Sequence, residues 1–244
     1  MQGRKIVITG AGRGLGRALA IVAASRGAIP ILLGRSQNAI EEVGQTISGN
    51  GGPQADTFVC DLSSSQSIER AAQKLAATHP DIDVLVNNGA HFTEGNLESQ
   101  TDEQIMAVVN SAVTGTMILT RHLLPLLKTR PRADIHNIVS MSGLQYARLV
   151  GASLPFRTAK AAQDGFSQGL VEELQGSSVR ITSIYPGVIE DISPTDADWH
   201  RARGAEEGLT NKDVIDAIFY ALSAPANVTL RQIVIERTRS DFLI

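Results

Sequence analysis

The sequence predicts an α/β protein built on a doubly wound parallel sheet of about seven strands, with helices on both faces. Three observations carry that prediction. Short apolar runs alternate with amphipathic stretches along the chain. Some runs, Ile29–Leu33 among them, are apolar throughout, as strands covered on both faces are. A glycine-rich turn joins the first run to the first helical stretch.

The elements follow in order. Lys5–Thr9 reads as a strand and Gly14–Arg26 as a helix, then Ile29–Leu33 and Asn38–Ser48, then Thr57–Cys60 and Ser65–Thr78. Val84–Val86 is a very short buried strand. Asp102–Lys128 has the helical period, with a break or bend expected near Pro125. Ile135–Ser140, Arg180–Tyr185 and Leu230–Glu236 complete the strands, and Arg157–Gln175 and Asn211–Ser223 the helices. Parallel neighbours need crossovers of helical length, which this alternation supplies. Gly49–Gln54 and Glu190–Gly208 read as loops, and the second lies where a substrate lid would sit.

Composition narrows the function. The 244 residues are 43% hydrophobic and 19% charged, which fits a packed protein, and residues 1–244 read as one domain. A net charge of −3 offers no basic excess for nucleic acid or an anionic membrane. No apolar run has the length of a membrane span, and Met1–Gly10 has no leader pattern. One cysteine, Cys60, rules out an intrachain disulfide. These features predict a cytoplasmic protein with a small-molecule substrate. No His/Cys cluster has metal-ligand spacing, so no metal is expected.

The turn reads Thr9-Gly10-Ala11-Gly12-Arg13-Gly14-Leu15-Gly16. Glycines let backbone approach a phosphate, and the helix that follows presents unpaired N–H groups and the positive end of its dipole. A tight turn without a ligand is the alternative. The strand before and the helix after favour a dinucleotide.

The glycine spacing resembles that of the short-chain dehydrogenase/reductase family rather than the common Rossmann fingerprint. Further along, Asp61 with Leu62 matches the acidic turn beside the adenine. Asn87-Asn88-Gly89-Ala90 resembles the family's Asn-Asn-Ala-Gly turn with its last two residues exchanged. Asn110 matches the asparagine of the long fourth helix, Lys160 the lysine of Tyr-x-x-x-Lys, and Pro186-Gly187, with Ile189 beyond, the turn after the sixth strand. The resemblance implies a nicotinamide cofactor held by these residues. It also implies a homodimer or homotetramer formed through Asp102–Lys128 and Arg157–Gln175.

Members that prefer NAD carry an acid at the end of the second strand, to bind the ribose hydroxyls. Here that place holds Gly34, followed by Arg35, and Arg13 projects from the glycine turn. Two guanidinium groups suit a 2′-phosphate, so NADP(H) is the predicted cofactor. Two solvated surface arginines are the alternative.

In the family a tyrosine is the general acid/base, a lysine one helical turn away lowers its pKa, a serine bonds the substrate oxygen, and an asparagine supports a water chain. This chain reads Phe156-Arg157-Thr158-Ala159-Lys160, so the phenol is absent. Ser140 matches the serine, with Ser142 the alternative because the segment before Phe156 is longer than usual. The register puts Asp191 where a threonine usually meets the carboxamide. It could accept from the amide or cap a loop. Tyr146, His91 and Tyr185 are candidate substitute acids, each also readable as a packing or surface residue.

The resemblance therefore implies an NADP(H)-dependent oxidoreductase of a carbonyl/alcohol pair, impaired by Phe156, which is either an engineered substitution or the native residue. The alternatives are a reductase of C=N bonds, which needs no phenol, and a non-catalytic NADP(H) sensor.

Overall fold

In the computed structural model, which describes residues 1–147 and 151–239, strand and helix alternate. β1 (Lys5–Thr9) leads to α1 (Gly14–Ser25), β2 (Ile29–Gly34) to α2 (Gln37–Gly49), and β3 (Asp56–Val59) to α3 (Ser65–Thr78). After β4 (Val84–Asn87), α4 (Asp102–Val109) runs through a π turn at Asn110–Thr114 into α5 (Gly115–Lys128). β5 (Ala133–Ile138) precedes α6 (Leu154–Glu173) and β6 (Val179–Pro186). Two short strands, β7 (Ile189–Glu190) and β8 (Leu209–Thr210), pair at the base of a loop before α7 (Asn211–Ser223) and β9 (Gln232–Ile235).

The seven-stranded sheet has the order β3-β2-β1-β4-β5-β6-β9, and its pairs are parallel. The winding reverses between β1 and β4, which opens a crevice at the carboxyl ends of those strands. Alternate residues of each strand feed two cores. Ile6, Ile8, Leu32 and Val86 pack with α1, α2 and α7. Val7, Ile31, Leu33 and Leu85 pack with α3, α5 and α6. This is the doubly wound sheet that the alternation of apolar runs predicts.

Local chemistry sets the helix starts. The Ser36 side chain caps α2 through Ala39 N–H, and Ser64 caps α3 through Ser67 N–H. Thr101 and Gln104 form a capping box on α4. Ser153 caps α6 with Pro155 in its first turn, so the helix starts at Leu154 rather than Arg157.

The break expected near Pro125 lies elsewhere. Pro125 is inside α5, and the helix is interrupted instead at Asn110–Thr114. There the Ser111 hydroxyl donates back to Ala107 O at 2.7 Å, and Gly115 packs so tightly under the Leu62 carbonyl that a Cβ would lie 2.0 Å from its oxygen. The Glu190–Gly208 loop also holds more structure than a plain connection. It carries a 3-10 turn at Ala197–His200 and buries Trp199 in the core on the α1–α7 side.

Candidate active site

Thr9 ends β1 and organises the crevice. Its hydroxyl oxygen accepts from the N–H groups of Asn88 (2.9 Å) and Gly89 (2.8 Å), and Asn88 Nδ2 donates to Thr9 O at 2.9 Å. These bonds clamp the turn after β4 against the glycine turn. Gly10 has φ +66°, and a Cβ on it would stand 2.9 Å from Gly89 Cα. A Cβ on Gly16 would stand 2.3 Å from Gly10 O. Glycine at these two positions is therefore a condition of the fold of the turn. Arg13 sits at the N-cap of α1 without a side-chain capping bond, which leaves the first N–H groups of that helix for another acceptor.

A cleft of about 740 Å³ opens over this turn. Gly10, Gly12, Arg13, Gly14 and Leu15 form one wall, with Gly34 at the end of β2 and Arg35 just after it beside them. Asp61, Leu62, Gly89 and Ile189 close the remainder, and His91, Phe92, Ser111 and Asp191 stand along the same opening. Arg13 and Arg35 are exposed and form no ion pair with a described residue. Gly34 matters for a steric reason that the sequence does not reveal. A Cβ there would stand 2.7 Å from Cγ2 of fully buried Ile40, so an acidic side chain at this position would have to displace the core. Asp61 also closes a local turn, its Oδ1 accepting from Ser63 N–H at 2.9 Å. Cys60, on the same wall, is buried, and desolvation with the Asp61 charge pushes its thiol up to about 12.

The residues matched to the catalytic set do not line this cleft. Phe156, in the first turn of α6, is buried and meets exposed Phe92 edge to face, with ring centroids 4.9 Å apart. Lys160 Nζ stands 5.4 Å from the centroid of the Phe156 ring. It donates to Ile138 O (2.9 Å) and to Gln163 Oε1 (2.8 Å), and burial pushes its pKa down to about 7. Ser140 and Ser142 are both buried and bonded to each other: the Ser140 hydroxyl oxygen accepts from Ser142 N–H (3.1 Å) and Ser142 Oγ (3.0 Å). Ser140 Oγ in turn lies 3.5 Å from Pro186 O. Asn110 is half-buried at the start of the π turn.

Other candidates are held elsewhere. The Asn87 side chain points into a buried network, donating to Asn137 Oδ1 (2.8 Å) and Thr120 Oγ1 (3.1 Å). Asn137 Nδ2 donates onward to Ser167 Oγ at 2.8 Å. Gly16 lies behind Gly10, and the Gly187 N–H bonds to Ile235 O at 2.8 Å. Tyr185 is fully buried and donates to Asp164, with its pKa raised chiefly by burial, so its proton is committed inside the fold. Tyr146 is exposed. Asp191 faces the glycine turn, with Oδ2 3.0 Å from where a Gly14 Cβ would be. The long segment before Phe156 is tied to the stretch that follows β4, Ser153 N–H donating to Thr93 O at 3.0 Å. Residues 148–150 of that segment lie outside the described residues. Sequence reasoning missed Thr9, Asn88 and Gln163. The first two sit in motifs already singled out, whereas nothing in the pattern marks Gln163.

The family model for short chain dehydrogenase matches residues 4–203. The chain belongs to the short-chain dehydrogenase family. An uncharacterized oxidoreductase of Staphylococcus saprophyticus is 29% identical over 240 residues, covering 96% of this chain and 97% of that protein. Among solved structures, an alcohol dehydrogenase from the archaeon Thermococcus sibiricus, complexed with 5-hydroxy-NADP, superposes with TM-score 0.84 at 21% identity. It covers 98% of this chain and 99% of that one. A metagenomic short-chain oxidoreductase in complex with NADP gives TM-score 0.80 at 25% identity, over 96% and 97% of the two chains. Among the described residues of this short-chain dehydrogenase, no helix is long and apolar enough to cross a membrane, and no group of three His, Cys, Asp or Glu could hold a metal ion.

Proposed function

We propose that this short-chain dehydrogenase is an NADP(H)-dependent oxidoreductase of a carbonyl/alcohol pair whose chemical step is slowed by Phe156. The observation that carries the cofactor reading is the end of β2. A side chain at Gly34 would press on buried Ile40, and Arg35 and Arg13 stand on the same wall with no ion-pair partner among the described residues. Two forked guanidinium groups suit the dianionic 2′-phosphate that distinguishes NADP from NAD. The NADP bound by the metagenomic relative supports the same reading.

The glycine turn and the open N-terminus of α1 would hold the diphosphate, and Asp61 and Leu62 would flank the adenine. Asn87 would act through the strand it anchors, and Gly89, Pro186, Gly187 and Ile189 would shape the nicotinamide end. The nicotinamide supplies a hydride when bound. Ser140, with Ser142 behind it, would hold the substrate oxygen. Lys160 would donate to the nicotinamide ribose, with Asn110 nearby. Phe156 keeps the ring of a tyrosine but has no proton to give, and general acid–base catalysis is worth roughly 10²–10⁴-fold. Self-association through α4–α5 and α6, and residence in the cytoplasm, complete the reading.

Calorimetric titration with NADPH and NADH, followed by NADPH consumption on ketone and aldehyde panels, tests it. Tighter NADPH binding with slow turnover is the expected result. Equal affinities, or a preference for NADH, would overturn the cofactor assignment.

A further inference from the structure

Lys160 is 4% exposed, and among the described residues its Nζ has two hydrogen-bond acceptors and no carboxylate partner. Ile138 O belongs to the backbone of β5 and is fixed by the sheet. The other, Gln163 Oε1 at 2.8 Å, is a side-chain choice. Gln163 is 2% exposed, one turn along α6 from Lys160 and on the same face. Burying a primary amide is unfavourable unless it is bonded, so its presence needs a reason that an apolar side chain would not serve. The backbone that carries it is braced as well: Ser167 Oγ donates to the Gln163 backbone carbonyl at 2.8 Å and accepts from Asn137, which is bonded to Asn87.

We propose that Gln163 is a positioning residue: its amide oxygen fixes the Lys160 amine in place and favours its charged form against burial. The proposal rests on the reading that Lys160 meets the nicotinamide ribose. An acceptor stabilises the protonated amine, whereas burial opposes it. Among the described residues, Tyr185 and Asp164 are bonded to each other, His136 lies farther down β5, Asp102 and Glu103 open α4, and the side-chain acceptor bonded to Lys160 is Gln163. The 3-10 turn that packs on α6 brings only the hydroxyls of Ser140 and Ser142, and the π turn brings Asn110 and Ser111. The Phe156 ring offers a weak cation–π contact at 5.4 Å.

Two variants test the role. Gln163→Met keeps the length of the side chain and removes the acceptor, and Gln163→Glu replaces a dipole with a charge. Side-chain NMR of Lys160 in the protein without cofactor gives the titration midpoint, and calorimetry with NADPH between about pH 6 and pH 9 gives the affinity. Gln163→Met should lower the midpoint by about one unit, taking the charged fraction near pH 7 from about one half to about one tenth and weakening NADPH roughly fivefold there. Gln163→Glu should raise the midpoint and keep NADPH affinity level toward pH 9. An unchanged midpoint in folded protein of either variant overturns the proposal. If the midpoint moves while NADPH affinity does not follow, Gln163 still positions Lys160, and the placement of Lys160 at the cofactor is what fails.

Discussion

Phe156→Tyr is the substitution with the largest expected gain. The ring already fills the site between Phe92 and the amine of Lys160, so the change adds one oxygen to an existing arrangement. A unit charge pair at the 5.4 Å separation of ring centroid and Nζ interacts by about 3 kcal/mol at an effective dielectric of about 20. That is about two pKa units, which would take a phenol from about 10 toward about 8. The coupling is reciprocal. A phenolate would hold the Lys160 ammonium charged above the midpoint of about 7 that burial gives it. A phenol tuned to that range can pass a proton near neutrality, so carbonyl reduction should rise by roughly 10²–10⁴-fold. The assay is steady-state NADPH consumption by both forms on ketones and aldehydes, with NADPH affinity measured on each. Equal, negligible rates in two forms that bind NADPH alike would refute the reasoning and leave a sensor, or chemistry needing no phenol, in its place.

Three further outcomes follow from the geometry. Arg35→Ala should weaken NADPH roughly tenfold and leave NADH unchanged, because only the 2′-phosphate needs the guanidinium; parallel titrations check it, and equal losses for both cofactors would exclude phosphate recognition. Gly16→Ala should destabilise the fold by roughly 3 kcal/mol, because its Cβ would press on the backbone oxygen of Gly10, and urea denaturation should show it. Lys160 titrates at about 7 when folded, against 10.5 unperturbed, so the unfolded chain binds the extra proton throughout that window. Unfolding free energy should therefore rise with pH from about 7 to about 10, by at most roughly 1.4 kcal/mol per pH unit from this group. Denaturant curves of Lys160→Met should lack that rise.

Much of the fold is legible because hydrophobic periodicity is a local property. Ser65–Thr78 and Asn211–Ser223 run as helices between the residues that their pattern indicates. The errors fall where a distant group decides. Pro125 is a strong local signal for a break, yet α5 carries it, while the actual interruption at Asn110 answers to the Ser111 hydroxyl and to the Leu62 carbonyl above Gly115. In the site, the glycine turn is readable from spacing. Which of two adjacent asparagines clamps that turn is not, because Asn87 still belongs to β4 and faces the interior, while Asn88 lies just beyond it. Gln163 carries no sequence signal at all. Its meaning arises only when α6 brings its amide beside the buried amine of Lys160.

The chain has one tryptophan, and its position limits the loop over the cleft. Trp199 packs in the same core as Val214, Ile215, Ile218 and Phe219 of α7, while β7 and β8 zip the two ends of the loop together. The loop is therefore pinned at its middle as well as at its base. Instead of swinging as one flap it is divided into two short arches, one running from Asp191 toward the anchor and one returning through Arg203. Only the first borders the cleft, through Asp191. The indole, the protein's sole strong fluorophore, would keep a steady emission while that arch flexes.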